Sequence, residues 1–307
     1  MKKASNDGLY NGIIVINKPK GFTSHDVVGK VRRILNMRKV GHTGTLDPEA
    51  TGVLPVCVGK GTKVSDMLMV SDKVYTAQVK LGVVTDTQDI YGNVIKTSDA
   101  SHITELDIKD AIMHFTGEIE QIPPMYSAIK INGQKMYELA RKGIEVERKS
   151  RKITIYGIEL IDVSGDVFTI SVSCSKGTYI RTLCNDIGEY LKCGACMQSL
   201  ERTKSSIFDI ESSVTLEELE RLALNGCAES VIIPIDSIFK EYPEFTADDE
   251  IKKRLLNGAP STVELREGFY RVYDKKDNFI AIGKVENING RNKIKSEKLF
   301  CDNQKEK

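Results

Sequence analysis

The sequence predicts an α+β fold: a large, mostly antiparallel sheet flanked by helices, followed by a small β-rich unit. Three observations predict it. Alternating apolar runs, cleanest in Val167–Cys174, recur beside segments with apolar residues at helical spacing. The 307 residues suggest two domains, and 40% apolar residues supply a real core. Near residue 240 the pattern changes to short strands separated by turn residues, which divides the chain into residues 1–238 and 239–307.

The elements follow in order. GIIVI (12–16) reads as a short buried strand, and KPKGF turns the chain. Thr23 and Asp26 are spaced as a capping box, and Val27, Val28, Val31, Ile34 and Leu35 then follow at helical spacing. Val53–Val58 reads as a strand, placed at a sheet edge because Pro55 has no N–H for a ladder. Val74–Leu81 reads as another strand, and Thr104–Phe115 as a helix with Ile108, Ala111, Ile112 and Phe115 on one face. Lys152–Ile161 and Val167–Cys174 read as paired strands, with Phe168, Ile170, Val172 and Cys174 alternating. GTYIRTLCNDIGEYL (177–191) starts as a turn and continues as a helix. Beyond 240, Asp248–Leu256 is a short helix. STVEL, FYRVY, FIAIGKV and KIKSEKLF are strand-like, with turns at Asn257-Gly258 and Lys276–Asn278, as in a small barrel-like appendage.

Charge is uneven although the net is only +1. Residues 1–70 hold 11 Lys/Arg against 5 Asp/Glu, residues 130–152 hold 8 against 3, and residues 204–260 hold 6 against 12. Basic segments set against an acidic one suit a polyanion bound on one face; uneven charge with no partner fits equally well. Lys2 and Lys3 precede an apolar run too short for a signal peptide, and no run approaches the length of a membrane span. Seven scattered cysteines fit reduced thiols, so a cytoplasmic protein is expected.

KVGHTGTLDPEATGVLPVCVGKGTK (39–63) carries five glycines and one aspartate, Asp47. GKGTK lacks the spacing of a phosphate-binding Walker loop, and CGAC (193–196) has no second ligand pair, so neither a nucleotide nor a metal is expected. His25, His102 and His114 sit in ordinary helical surroundings, whereas His42 stands within GHTGTLDP. Pro48 pushes Asp47 towards extended backbone, and the glycines let the chain approach a ligand closely. A turn-forming Asp-Pro is the plain alternative. Against it stand Tyr75, near the start of a strand, and Tyr179 and Arg181, at the start of a helix. An acid, a guanidinium and two phenols can make a cofactor-free site in which Arg181 keeps Asp47 ionised.

GHTGTLDPEATGVL closely resembles the signature of the tRNA pseudouridine synthase B (TruB) family. NKPKGFTSHDVV, KVYTAQVKLGVVTDTQD, SKGTYIRTLCNDIG and CGACMQSLERTKSS resemble that family's other segments, in order, over about residues 10–210. Residues 240–303 resemble, more weakly, the PUA-type RNA-binding domain of bacterial members. Cys196 departs from the family pattern, at a position with no catalytic assignment.

The resemblance implies a pseudouridine synthase-like catalytic domain acting on uridine 55 in the TΨC stem-loop of tRNA. It also implies a monomer without cofactor, metal or guide RNA. Asp47 is then the catalytic aspartate, and Tyr75 stacks on the target base and assists proton removal. Arg181 pairs with Asp47, while Tyr179 and Leu200 line the pocket. His42 contacts the flipped nucleotide, and Asp89 orders the site and contacts the base. Lys18 and Pro19 belong to a supporting motif. The rivals are a non-catalytic RNA-binding or RNA-folding protein on the same scaffold, a guide-RNA-dependent enzyme, and an Asp-dependent hydrolase. The short tail and lack of basic extensions favour the stand-alone type over the guide-RNA-dependent one.

Overall fold

The computed structural model describes residues 6–301 apart from 128, 132, 141 and 145. The apolar run at the start is β1 (Gly12–Lys18), whose side chains are almost all buried. It leads into α1 (Ser24–Leu35), where the capping box forms as expected: Thr23 accepts from Asp26 N, and Asp26 accepts from Thr23 N. Val27, Val28, Val31 and Leu35 give this helix its buried face. β2 (Val40–His42) and β3 (Thr51–Val58) flank the loop that carries Asp47. The short α2 (Ser65–Met69) precedes β4 (Lys73–Leu81), which alternates strictly between buried and half-buried residues. A small hairpin, β5 (Val83–Thr85) with β6 (Val94–Thr97), projects before α3 (Glu105–His114). Then follow β7 (Gly117–Gln121), a minor hairpin of β8 (Lys130–Ile131) and β9 (Gln134–Lys135), and α4 (Met136–Ala140). β10 (Arg151–Ser164) and β11 (Val167–Cys174) pair antiparallel as predicted. α5 (Ile180–Tyr190) crosses back to β12 (Ala195–Ser205), the short β13 (Phe208–Asp209) and α6 (Leu216–Leu224).

Nine of these strands form one sheet in the order β1-β3-β12-β4-β11-β10-β7, with β2 added to β3 and β13 to β12; β5-β6 and β8-β9 are separate two-stranded sheets. The pairs of the large sheet are antiparallel except β3 with β12. The edge position expected for Val53–Val58 is wrong, because β3 is an interior strand. It pairs along its length with β1, and its other side is shared by β2, opposite residues 56–58, and β12, opposite residues 51–52. Pro55 falls between those two partners. Its carbonyl accepts from Thr43 N at 3.1 Å, so its ring nitrogen faces the interval where no ladder donor is required.

The second unit begins with β14 (Glu244–Thr246) and α7 (Asp249–Leu256), the latter capped by Asp248. STVEL contributes only β15 (Ser261–Thr262); β16 (Gly268–Tyr273), β17 (Phe279–Ile288) and β18 (Arg291–Leu299) follow. The five strands run β14-β16-β17-β18-β15, with β14 and β15 as the two edges. This sheet packs on the large one through a mixed apolar core of Ile13, Val15, Val53, Phe208, Phe239, Ile282 and Phe300. Among the described residues, no helix is long and apolar enough to cross a membrane.

Candidate active site

The Asp47 loop is tied on both sides to the turn between β1 and α1. Leu46 N donates to Ser24 Oγ at 2.9 Å, and Pro48 O accepts from Gly21 N at 2.8 Å. Lys18, with no exposed surface, donates from Nζ to the carbonyls of Pro19, Phe22 and Pro48 at 2.9, 2.6 and 3.0 Å. Three acceptors match the three donors of an ammonium. Burial lowers the Lys18 pKa to about 8. The supporting role expected for Lys18 therefore has a physical form: it fixes the backbone next to Asp47.

Arg181, in the first turn of α5, binds two carboxylates. Its Nε lies 3.0 Å from Asp47 Oδ2 and its Nη1 3.4 Å from Asp89 Oδ2. Nη2 donates to Tyr126 O at 2.8 Å and Nη1 to Thr87 O at 3.3 Å. The two acids differ in freedom. Asp89 is 15% exposed and accepts from Thr87 Oγ1 (2.8 Å) and Tyr91 N (3.1 Å), whereas Asp47 is 40% exposed and meets Arg181 with both oxygens, Oδ1 accepting from Nη2 at 3.5 Å. Burial pushes the Asp47 carboxyl above its ordinary range; Arg181 opposes this, Asp89 adds to it and Lys18 opposes it. Arg181 thus favours the ionised form of Asp47 as expected, but against a larger push in the other direction.

Tyr75 on β4 and Leu200 on β12 lie on one face of the sheet and share an apolar cluster with Leu46 and Ala50 of the Asp47 loop. Burial raises the Tyr75 phenol pKa. Tyr179 is the N-cap residue of α5 and is half-buried, with its phenol near Ser127. His42 ends β2 at the entrance to the loop. Its Nδ1 accepts from Gly44 N at 3.3 Å, and its ring meets His25 edge-on at 5.7 Å. Burial, reinforced by His25, lowers the His42 pKa, which favours the neutral ring.

Two features differ from the sequence reading. First, the glycines expected to bring the chain near a ligand include three that bring it near other backbone. A Cβ on Gly52 would lie 2.3 Å from Arg202 O, one on Gly59 2.2 Å from Tyr10 O, and one on Gly61 2.2 Å from Gly12 O. Second, Arg202 was not singled out, yet it is only 1% exposed. Its Nε donates to Val53 O at 2.7 Å and its Nη2 to Gly44 O at 3.4 Å, filling the fork where β2 and β12 part along β3. The signal was present: strand alternation puts residue 202 on the same face as Leu200. Among the described residues, no group of three His, Cys, Asp or Glu side chains could hold a metal ion.

Comparison with known proteins gives the family. Residues 32–180 match the family profile described as TruB family pseudouridylate synthase (N terminal domain), and residues 181–240 that of the tRNA pseudouridylate synthase B C-terminal domain. The chain is 48% identical over 299 residues to tRNA pseudouridine synthase B of Clostridium kluyveri, covering 94% of this chain and 99% of the relative. It is 43% identical over 300 residues to the protein of that name from Clostridioides difficile, with the same coverage. Among solved structures, a chain of a Cbf5–Nop10–Gar1 complex is similar with a TM-score of 0.71 and 30% identity, over 94% of this chain and 85% of the other. A chain of an H/ACA RNP bound to a substrate RNA containing 2′-deoxyuridine is similar at 0.71 and 27%, over 95% and 86%. Fold, site and relatives define the class: an isomerase, a pseudouridine synthase. Within that class the chain belongs to the tRNA pseudouridine synthase B family.

Proposed function

We propose that this chain converts uridine 55 in the TΨC loop of tRNA to pseudouridine, with Asp47 as the essential group and without a guide RNA. The observation that carries this reading is the Asp47–Arg181 pair: a partly exposed carboxylate, held at 3.0 Å by a buried guanidinium. The reaction breaks the bond from C1′ to N1, turns the uracil and bonds C1′ to C5, after which the C5 proton leaves and the freed N1 carries a proton in its place. Redox state and atom count do not change. The chemistry requires a carboxylate that attacks the base or the sugar, or takes a sugar proton, together with a pocket that retains the loose ring.

Flipping the nucleotide out costs stacking, which an aromatic wall restores. Tyr75 provides that wall, backed by Leu200, and Tyr179 closes the pocket beside Arg181. The neutral ring of His42 stands at the loop rim, where it can contact the displaced nucleotide without adding charge. Asp89 orders Arg181 from behind and adjoins the base. The test is incubation of the purified chain with unmodified tRNA, followed by carbodiimide mapping or mass spectrometry. Pseudouridine at position 55, and none in a tRNA carrying cytidine there, is the expected result. A tRNA left unmodified in the TΨC loop overturns the reading.

A further inference from the structure

The residue that starts α5 caps nothing with its own side chain. Tyr179 has extended backbone (φ −102°, ψ 105°) and makes no side-chain cap. Its backbone is gripped instead from β7. Gln121 Nε2 donates to Tyr179 O at 3.0 Å, and Tyr179 N donates to Gln121 Oε1 at 2.8 Å. Gln121 is 2% exposed, so this two-point amide clamp is shielded from water. The segment after Gln121 then reaches the same target from the other side, where Tyr126 O accepts from Arg181 Nη2 at 2.8 Å. Residues 121–126 thus hold the backbone entering α5 and the guanidinium two residues further on.

We infer that Gln121 is a positioning residue for pseudouridine formation: its bidentate grip on Tyr179 sets Arg181 against Asp47 and keeps the Tyr179 ring in the pocket wall. The geometry distinguishes this from simple hydrogen-bond satisfaction, because both functional side chains of the α5 start hang from the clamped residue or lie within one turn of it. The consequence can be read at Asp47. The groups that face it are Arg181 from α5, Asp89 from the β5–β6 connection, Lys18 from β1, and the phenols Tyr75 and Tyr179. Arg181 and Lys18 are the cations in this set, and Arg181 alone depends on the clamp. Loosening the clamp weakens its pull on the carboxylate, so Asp47 takes up its proton at higher pH.

This inference rests on the reading of Asp47 as the essential group, and the experiment keeps the two separate. Full-length wild type, Gln121→Met, Gln121→Asn and Asp47→Asn are compared for thermal unfolding, tRNA affinity and single-turnover rate across pH. Gln121→Met, which loses both bonds, should form pseudouridine about 10- to 100-fold more slowly with its Kd within about threefold of wild type, as small misplacements at a reacting centre do. The acid limb of its rate profile should move to higher pH. Gln121→Asn keeps an amide one methylene short and should show a smaller change in the same directions. A folded Gln121→Met with wild-type rate, or a slower one whose acid limb has not moved, overturns the positioning role. Failure of both Gln121 variants to fold overturns it too, by assigning the residue to fold support alone. An active Asp47→Asn overturns the reading of Asp47; an inactive one beside a wild-type-like Gln121→Met overturns only the inference about Gln121.

Discussion

At the residue scale the site turns on one asymmetry: two carboxylates share a guanidinium, but Asp47 is 40% exposed and Asp89 only 15%. Asp47→Asn preserves shape and removes charge. Single-turnover formation of pseudouridine should fall by more than about 1,000-fold, as when a group with no substitute is lost. Binding of tRNA should change far less and can even tighten, since a negative charge near the RNA backbone is removed. A folded variant that retains near wild-type activity would return Asp47 to the role of a turn residue. The pH dependence follows from burial. If Asp47 acts as its carboxylate, the active form is present above the folded pKa and lost as pH falls through it. Because that pKa is raised, the acid limb should lie above the ordinary aspartate value of about 3.9. A limb at or below that value in single-turnover profiles would contradict the electrostatics of the pocket. Asp47, Tyr75, Tyr179 and Arg181 were legible because unusual residues sat at turn and element boundaries. Gln121 and Tyr126 were not: a single glutamine in a short strand carries no spacing signal, and a backbone carbonyl such as that of Tyr126 leaves no trace in residue type.

At the scale of elements, legibility depended on how cleanly burial alternates. α1, α3, β10 and β11 matched their predicted spans within a few residues, since caps and apolar spacing agreed. β12 was read only as a motif although it is a central strand, because ERTKS looks like solvent-facing sequence. Tertiary contacts override that composition: the buried Arg202 donates to the backbone carbonyls of Val53 in β3 and Gly44 in the Asp47 loop. The short β2, β5, β6 and β14 carry too few residues to show a period. Gly52 gives a test at this scale. Its φ is +99°, and it faces Arg202 at the one parallel junction of the sheet. Gly52→Ala should destabilise the protein by about 2 kcal/mol through backbone strain and displacement of β12, and denaturant unfolding should show it. A wild-type unfolding midpoint would mean the junction yields more easily than its contacts imply.

At the scale of the whole molecule, charge and the domain junction govern behaviour. If the basic segments contact phosphates, tRNA affinity should fall steeply with salt while the single-turnover rate at saturation holds. A flat salt response would move the RNA to another face. Segment 130–152 lies partly outside the described residues, and Lys30 is paired with Glu220 at 2.8 Å, so Arg33 and Arg38 are the better first targets for alanine substitution. The second unit is fastened by Phe279, Ile282 and Phe300 against Ile13, Val15 and Val53 of the large sheet. Deleting residues after 238 should therefore do more than weaken RNA binding. It bares that apolar face, and a lower melting temperature and aggregation should precede any loss attributable to chemistry, which scattering during a thermal scan would detect.

The place of β12 also has a consequence for how the chain comes into being. β3 and β4 follow each other in sequence yet do not pair in the finished sheet, because β12, made more than a hundred residues later, lies between them. While the ribosome is still working, the strand after Asp47 and the strand bearing Tyr75 have unpaired edges turned towards a gap. Such edges invite wrong partners, and contacts this distant in sequence form slowly. A nascent chain stopped at residue 194 would already contain Asp47, Tyr75, Asp89, Tyr179 and Arg181, and would still lack Leu200 and the strand that joins the two halves of the sheet.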